Sequence, residues 1–182
     1  VSGVLMCSLP ISEYYLIKYN TRVLNPEKIL ALTGRNTNYI NYVVADTVVY
    51  IFLVNRKYTR LTAVHVDSMF FRNISEFRDL LSSPAYSENA RSGFIDYQQL
   101  GNYVYRSLVE PVRSYLISDR ILISPDNILS YLPFEALPVS IIPSDRVLYR
   151  NLPYLMNEFR ISYTYSATFL AESLRHDYSI SN

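Results

Sequence analysis

Side chains that can act as a nucleophile or a general base are scarce in this 182-residue sequence. Cys7 is its single cysteine, and His65 and His176 are its two histidines. A cysteine nucleophile needs a nearby histidine or a cationic environment, and the neighbours of Cys7 supply neither, so we interpret it as a small apolar filler. His65 and Asp67 lie on the same side of a strand that extends that far. They are a candidate oriented pair, but a strand-end histidine beside a helix cap is the preferred interpretation.

The spacing of the histidines and of the four glycines gives no recognisable cofactor site. A zinc-protease helix needs two histidines four residues apart, and a cysteine-rich zinc site needs several cysteines. A metal site could still form from His65, His176 and one carboxylate, but the preferred interpretation is that the two histidines bind no metal. The glycines are too far apart for a dinucleotide fingerprint, a Walker loop or a nucleophile elbow. We therefore expect no catalytic residue, no metal and no cofactor in this chain.

Charge and composition limit the expected partners. Seventeen Lys and Arg against sixteen Asp and Glu give a net charge of +1, without the basic excess of nucleic-acid or anionic-membrane binders. The longest uncharged apolar run in the middle of the chain, Thr47–Val54, is far shorter than the roughly 20 residues of a membrane helix. Hydrophobic residues at 49% are ordinary for a soluble domain, and a single cysteine fits a reducing compartment. We expect one cytoplasmic domain over residues 1–182, with no nucleic-acid or membrane partner.

Residues with a high β-propensity predict the strands. Three closely spaced runs predict an antiparallel meander: Tyr39–Ala45, Thr47–Asn55 and Tyr58–Val66. The second run is apolar on both faces, which predicts a central strand that is more buried than its neighbours. Later strands are predicted at Arg120–Ser124 and Ile161–Tyr165. The expected fold is α/β, with a mixed sheet, a three-strand antiparallel meander and flanking helices.

Capping and breaker residues delimit the predicted helices. Asn25, Pro26 and Gly34 mark the beginning and end of a short one. A second helix is predicted over Met69–Ser82, capped by Asp67 or Ser68, and a third has an apolar stripe from Tyr97 to Leu116 that Pro111 interrupts. A last helix is predicted over Ala167–Arg175, capped by Ser166. A polar loop is predicted over Pro84–Gly93, a further loop over Pro138–Asn151, and a frayed tail over Tyr178–Asn182.

The most specific pattern in the sequence is Ile121–Leu137, ILISPDNILSYLPFEAL. It resembles the hallmark of CHAT domains, caspase-related domains often found behind TPR repeats, in which an apolar strand is followed by Pro-Asp-Gly and then Leu-Pro-Phe-x-x-Leu. Asn127 stands where the family has glycine, a change that a turn tolerates because asparagine accepts the left-handed conformation. We interpret the motif residues as architectural, and the minor interpretation is a salt bridge from Glu135 to the half of such a domain that is missing from this chain. The motif residues are Pro125, Asp126, Asn127, Leu132, Pro133, Phe134, Glu135 and Leu137.

The resemblance extends over most of the chain. Glu13–Asn20 is similar to the segment that enters such a domain, and Tyr42–Leu53 is similar to its opening strands. Leu108–Leu116 is similar to the helix before the motif, and Leu155–Leu170 is similar to the strand after the motif and the start of a serine-rich helix. CHAT domains carry a catalytic histidine and then a catalytic cysteine, both beyond the serine-rich helix. Here no cysteine follows His176, and Cys7 precedes both histidines.

The resemblance therefore implies the first, non-catalytic half of a caspase-like domain, a pseudo-caspase half that is inert alone. In the related separase architecture, the corresponding half is a pseudo-protease subdomain that supports the catalytic one. The implied partners are proteins: its own C-terminal catalytic half, a TPR segment, a regulatory protein, or a second copy bound through exposed apolar and tyrosine surface. Val1 in place of Met fits a piece of a longer protein. The alternative is a stand-alone interaction module derived from the same fold, without peptidase activity.

Overall fold

Helices and strands alternate along the chain in this computed structural model, which describes residues 24–82, 90–143 and 147–180, with side chains as far as residue 174. The helices are α1 (Pro26–Thr33), α2 (Ser68–Ser82), α3 (Ala90–Leu108), α4 (Glu110–Arg113) and α5 (Ala167–Ile180). The strands are β1 (Asn38–Val44), β2 (Val48–Val54), β3 (Thr59–His65), β4 (Arg120–Ser124) and β5 (Arg160–Tyr163). Short 3₁₀ turns lie at Asn127–Tyr131, Phe134–Ala136, Tyr149–Asn151 and Leu155–Asn157.

The strands form one mixed sheet in the order β3-β2-β1-β4-β5. The predicted meander is confirmed, because β1, β2 and β3 pair antiparallel in sequence, with Ile40 opposite Leu53 and Ile51 opposite Thr62. β4 adds to the free side of β1 in parallel, and β5 adds to β4 in parallel. The expected mixed α/β sheet with flanking helices is therefore observed.

β2 pairs with a strand on each side, so the prediction of a central strand at Thr47–Val54 is confirmed, while the prediction that it is more buried than both of its neighbours is wrong. Since β4 pairs with β1, β2 lies between β1 and the outer strand β3. Four of seven residues are buried in β1 and four of seven in β2, so β2 is not the more buried of the two. Its second face is apolar but only partly covered, and Tyr50 on that face is 38% exposed.

The main core fills the space between one face of the sheet and the helices α2 and α3. Ile51 of β2, Phe77 of α2 and Leu108 of α3 are fully buried in it. Gly101 allows the close approach of α3, because a Cβ atom there would lie 2.6 Å from Pro138 Cδ and 2.8 Å from a ring carbon of Phe77. A smaller cluster on the opposite face joins α1 to the sheet through Ile29, Tyr39 and Val54.

The helix boundaries agree with the capping residues at three places. The Asn25 side chain accepts a hydrogen bond from Lys28 N at 3.0 Å, and Gly34 ends α1 with a φ of +82°. At the start of α2 and of α5, Asp67 and Ser166 accept hydrogen bonds from backbone N–H groups, each at 3.0 Å.

Two helices are longer than predicted. α3 begins at Ala90, so residues 90–93 are helical and not part of a loop; residues 84–89 of that predicted loop lie outside the described residues. α5 continues to Ile180, which makes both the predicted end at Arg175 and the frayed state of residues 178–180 wrong. No Gly or Pro lies between Ala167 and Ile180, so nothing in the backbone interrupts the helix there.

Two buried asparagines connect the start of β1 to the chain that leads into β4. Asn38 is fully buried, and its Nδ2 donates to the carbonyl oxygens of Ser118 and Arg120, both at 3.0 Å. Its Oδ1 accepts from Ile117 N and from Asn55 Nδ2, also at 3.0 Å. Every polar atom of the Asn38 side chain is therefore paired inside the protein, and it fixes the position of β4 beside β1.

Candidate functional site

The turn at Pro125–Asn127 ends β4 and closes the adjacent end of β1. The Asp126 carboxylate accepts a hydrogen bond from Val44 N at 2.8 Å. Val44 is the last residue of β1, and β4 supplies backbone partners only as far as Ser124. The Asp126 carboxylate thus accepts the hydrogen bond that a backbone carbonyl oxygen of β4 would accept if the strand continued past Ser124. Asn127 has a φ of +52°, which confirms the expected left-handed turn.

The bond from Asp126 to Val44 predicts a difference between two substitutions. We expect Asp126→Ala to lower the free energy of unfolding by about 1–3 kcal/mol, because it leaves the half-buried Val44 N–H without an acceptor. Asp126→Asn keeps a side-chain oxygen and should retain most of the stability. Urea denaturation of both variants measures the difference. Equal losses in the two variants would contradict the assigned role of the carboxylate.

The Leu132–Leu137 part of the motif is directed into the core. Leu132, Phe134 and Leu137 are buried, as predicted. The Phe134 ring stacks on Tyr42 of β1, with 5.3 Å between the ring centroids. Burial raises the pKa of Tyr42, and its hydroxyl donates to the carbonyl oxygen of Leu108 at 3.0 Å. The motif therefore connects β1 to the end of α3 through one aromatic stack.

Glu135 and Tyr163 tie the motif to the outer strand β5. The Tyr163 hydroxyl accepts a hydrogen bond from Phe134 N at 2.9 Å and donates to the Glu135 carboxylate. Burial, and then the hydrogen bond to the carboxylate of Glu135, raise the pKa of Tyr163 above its usual value. Nothing in the local sequence marked Tyr163, because its two partners lie 28 and 29 residues away in the chain.

An open cleft of about 360 Å³ lies beside this contact. Glu135 and Tyr163 line it together with Tyr131, which is 70% exposed. Arg78 contributes the cation of the cleft and lies 3.1 Å from Asp79. The cleft therefore offers exposed tyrosine and arginine side chains, which are enriched at protein interfaces, beside one carboxylate.

The candidate pair of His65 and Asp67 lies at the start of α2, whereas the cleft residues of α2, Arg78 and Ser82 among them, lie at its end. His65 is the exposed last residue of β3. Asp67 is exposed, and its carboxylate caps α2 by accepting from Phe70 N. Its carboxylate is thus engaged in holding the helix. Cys7 and the side chain of His176 lie outside the described residues.

Among the described side chains, those of residues 24–82, 90–143 and 147–174, no three His, Cys, Asp or Glu come together as metal ligands would. Within residues 24–82, 90–143 and 147–180, no helix combines the length and the apolar character needed to cross a membrane.

No protein-family model matches this chain, and no curated protein matches it at a significant level. The contacts of the motif residues form a packed junction between β1, the end of β4, β5 and the end of α3.

Proposed function

We propose that this chain is the non-catalytic, supporting half of a CHAT caspase-like cysteine peptidase domain and that it is inert alone. The observation that carries the proposal is that the side chains of the motif make contacts within this chain. Asp126 closes the end of β1, Phe134 fills the core, and Glu135 holds Tyr163. A motif of this kind supports a scaffold and leaves the chemistry to other residues.

Exposed aromatic side chains near β5 support a partner on that side of the sheet. Tyr165 follows β5 and is 84% exposed, and its ring contacts the exposed ring of Phe169 edge-on at 5.3 Å. Tyr131 and Tyr163 are exposed in the neighbouring cleft. Aromatic side chains are enriched where protein surfaces meet, and a half-domain should expose the surface that its second half covers. We therefore assign the β5 side to the catalytic half.

The second candidate is a stand-alone interaction module built on the same fold. The same exposed aromatic pair, Tyr165 and Phe169, favours it, because the pair suits any apolar protein surface. The two candidates differ in the sequence that follows Asn182. A downstream histidine and then a cysteine favour the supporting half, and their absence from the gene favours the module.

Peptidase assays test the proposed catalytic silence. We expect no cleavage of a peptide library by this chain or by its Cys7→Ala variant, because a caspase-type reaction needs a thiolate with a histidine placed to move its proton. A longer form of the protein that carries a histidine and then a cysteine beyond Asn182 should cleave. Cleavage by the short chain that disappears in Cys7→Ala would refute the proposal and make Cys7 a nucleophile.

Binding of the downstream half tests the assigned surface. The double variant Tyr165→Ala/Phe169→Ala should weaken binding of the separately produced downstream segment about tenfold or more, because it removes two exposed aromatic contacts. Tyr103→Ala on α3 is the matched control, since Tyr103 is also an exposed tyrosine but lies on another element. An equal effect of both changes would rule out the β5 side as the binding surface. Calorimetric titration measures the affinities.

A further inference from the structure

The carboxylate of Glu135 is held in one orientation beside the cleft. Phe134 N donates to the Tyr163 hydroxyl at 2.9 Å, and that hydroxyl donates to Glu135 Oε2, so the backbone of the motif positions the hydroxyl and the hydroxyl positions the carboxylate. Glu135 is half-buried and lines the cleft. An ionised carboxylate can accept about four hydrogen bonds, so the bond from Tyr163 leaves most of this capacity for another donor.

The charge of Glu135 is not balanced by a neighbouring cation. Among the side chains that the structure describes, none forms an ion pair with it. Arg78 lines the same cleft, but its Nε and Nη2 both donate to Asp79 Oδ1, at 3.4 and 3.1 Å. Arg78 and Asp79 therefore balance each other, and the charge that the cleft offers to a partner is the negative charge of Glu135.

Aromatic surface lies next to this carboxylate. Tyr131 and Tyr163 line the cleft and are 70% and 43% exposed. Phe134 packs against Tyr163 from the core, with 6.4 Å between the ring centroids, which leaves the outer part of the Tyr163 ring open to the cleft. The face of a tyrosine ring attracts a cation, and a planar guanidinium also stacks on it. A carboxylate beside exposed tyrosine rings is thus complementary to an arginine side chain.

The same two kinds of group already hold an arginine within this chain. Arg113 donates to the Glu158 carboxylate, and its guanidinium carbon lies 5.0 Å from the centroid of the Phe159 ring. Arg113 is thereby fixed by an ion pair on one side and an aromatic face on the other. The cleft offers the equivalent pair of groups, a carboxylate and a tyrosine ring, to an arginine that comes from another polypeptide segment.

We propose that the cleft binds an arginine side chain of the downstream half, paired with the Glu135 carboxylate and stacked on Tyr131. Arginine fits better than lysine, because its planar fork can donate two parallel hydrogen bonds to a carboxylate while its face lies on a ring. A cleft of about 360 Å³ has room for one such side chain. The source of the arginine rests on the proposed function, which assigns the downstream half to the β5 side; the chemistry of the cleft does not.

A small arginine analogue tests the chemistry of the cleft without the downstream half. Titration of N-acetyl-arginine methylamide into the 182-residue chain should shift the NMR signals of the backbone amides around Glu135, with a dissociation constant in the millimolar range. The citrulline analogue has nearly the same shape but no charge, and it should bind at least tenfold more weakly. Equal effects of the two compounds, or no shift around Glu135, would overturn the proposal.

Substitutions test whether the downstream half supplies the arginine. Glu135→Gln keeps an acceptor for Tyr163 and removes the charge, so it should weaken binding of the separately produced downstream segment about tenfold or more in calorimetric titration. Glu27→Gln is the matched control, because Glu27 is an exposed carboxylate of α1, on the opposite face of the sheet, and it should leave the affinity unchanged. Equal affinities of the Glu135→Gln variant and the unchanged chain, with equal thermal melts, would exclude this contact.

The two experiments also separate this inference from the proposed function. If the downstream segment fails to bind while the arginine analogue binds at Glu135, the proposed function is wrong, and the cleft is still an arginine site. If the segment binds but neither Glu135→Gln nor the analogue has an effect, the proposed function stands and the arginine contact is refuted.

Discussion

Phe134→Ala should lower the free energy of unfolding by about 3–5 kcal/mol, because it empties a fully buried site in the core. The loss includes the apolar surface of the ring, its stack on Tyr42 and the cavity that the ring leaves behind. The ring lies between Tyr42 of β1 and Tyr163 of β5, with 5.3 and 6.4 Å between the centroids, and is fully buried. Urea denaturation followed by far-ultraviolet circular dichroism measures the change.

Tyr131→Ala is the matched control for this prediction. Tyr131 lies three residues before Phe134 and is also aromatic, but it is 70% exposed. Its replacement should change the stability by no more than about 0.5 kcal/mol, as is usual at exposed positions. If Tyr131→Ala destabilised the protein as much as Phe134→Ala, contacts in the cleft would contribute as much to stability as packing in the core, which would contradict the prediction.

Asn38→Leu should be similarly severe, at about 3 kcal/mol or more. The leucine has nearly the same size, but it leaves the carbonyl oxygens of Ser118 and Arg120 and the N–H of Ile117 without their partner. Each buried backbone group left unpaired costs about 1–3 kcal/mol. The reduction should be seen in the denaturation midpoint with an unchanged slope.

Asn157→Leu provides the comparison for Asn38→Leu. Asn157 is exposed and makes one long hydrogen bond, from Nδ2 to Leu152 O at 3.4 Å. The same change of residue type should therefore have a small effect there. Equal stability of the Asn38→Leu variant and the unchanged protein would show that water replaces the lost partners at the start of β1.

The order of the strands could be predicted only in part. β-propensity and short connections are local properties, and they gave the meander of β1, β2 and β3 correctly. The parallel pairing of β4 with β1 joins Asn38 to Ile121, and no local pattern encodes such a distant partner. The apolar second face of β2 predicted full coverage, but in the fold that face is only partly covered, with Val54 buried and Tyr50 exposed.

In the candidate site, too, features that depend on neighbouring residues could be predicted, and contacts between distant residues could not. The burial of Phe134 and Leu137 and the left-handed Asn127 follow from residue types within the motif. The partners of the motif, Tyr42 and Tyr163, could not be predicted, because tyrosine is frequent in this chain and their contacts span the sheet. Asn38 was also missed, since an asparagine at the start of a strand gives no sign that all its polar atoms are paired internally.

The hydrogen bond from Asp126 to Val44 has a consequence for the order in which the protein folds. It spans 82 residues, whereas the β2–β3 turn joins its strands through only a few. Contacts between distant residues form late, because a long loop must first be closed. We expect the meander to form early and β4 to dock afterwards, so that the Asp126 contact is absent at the rate-limiting barrier. Asp126→Ala should then accelerate unfolding and leave the rate of folding nearly unchanged in stopped-flow measurements, and a slowed folding rate would place β4 in the folding nucleus.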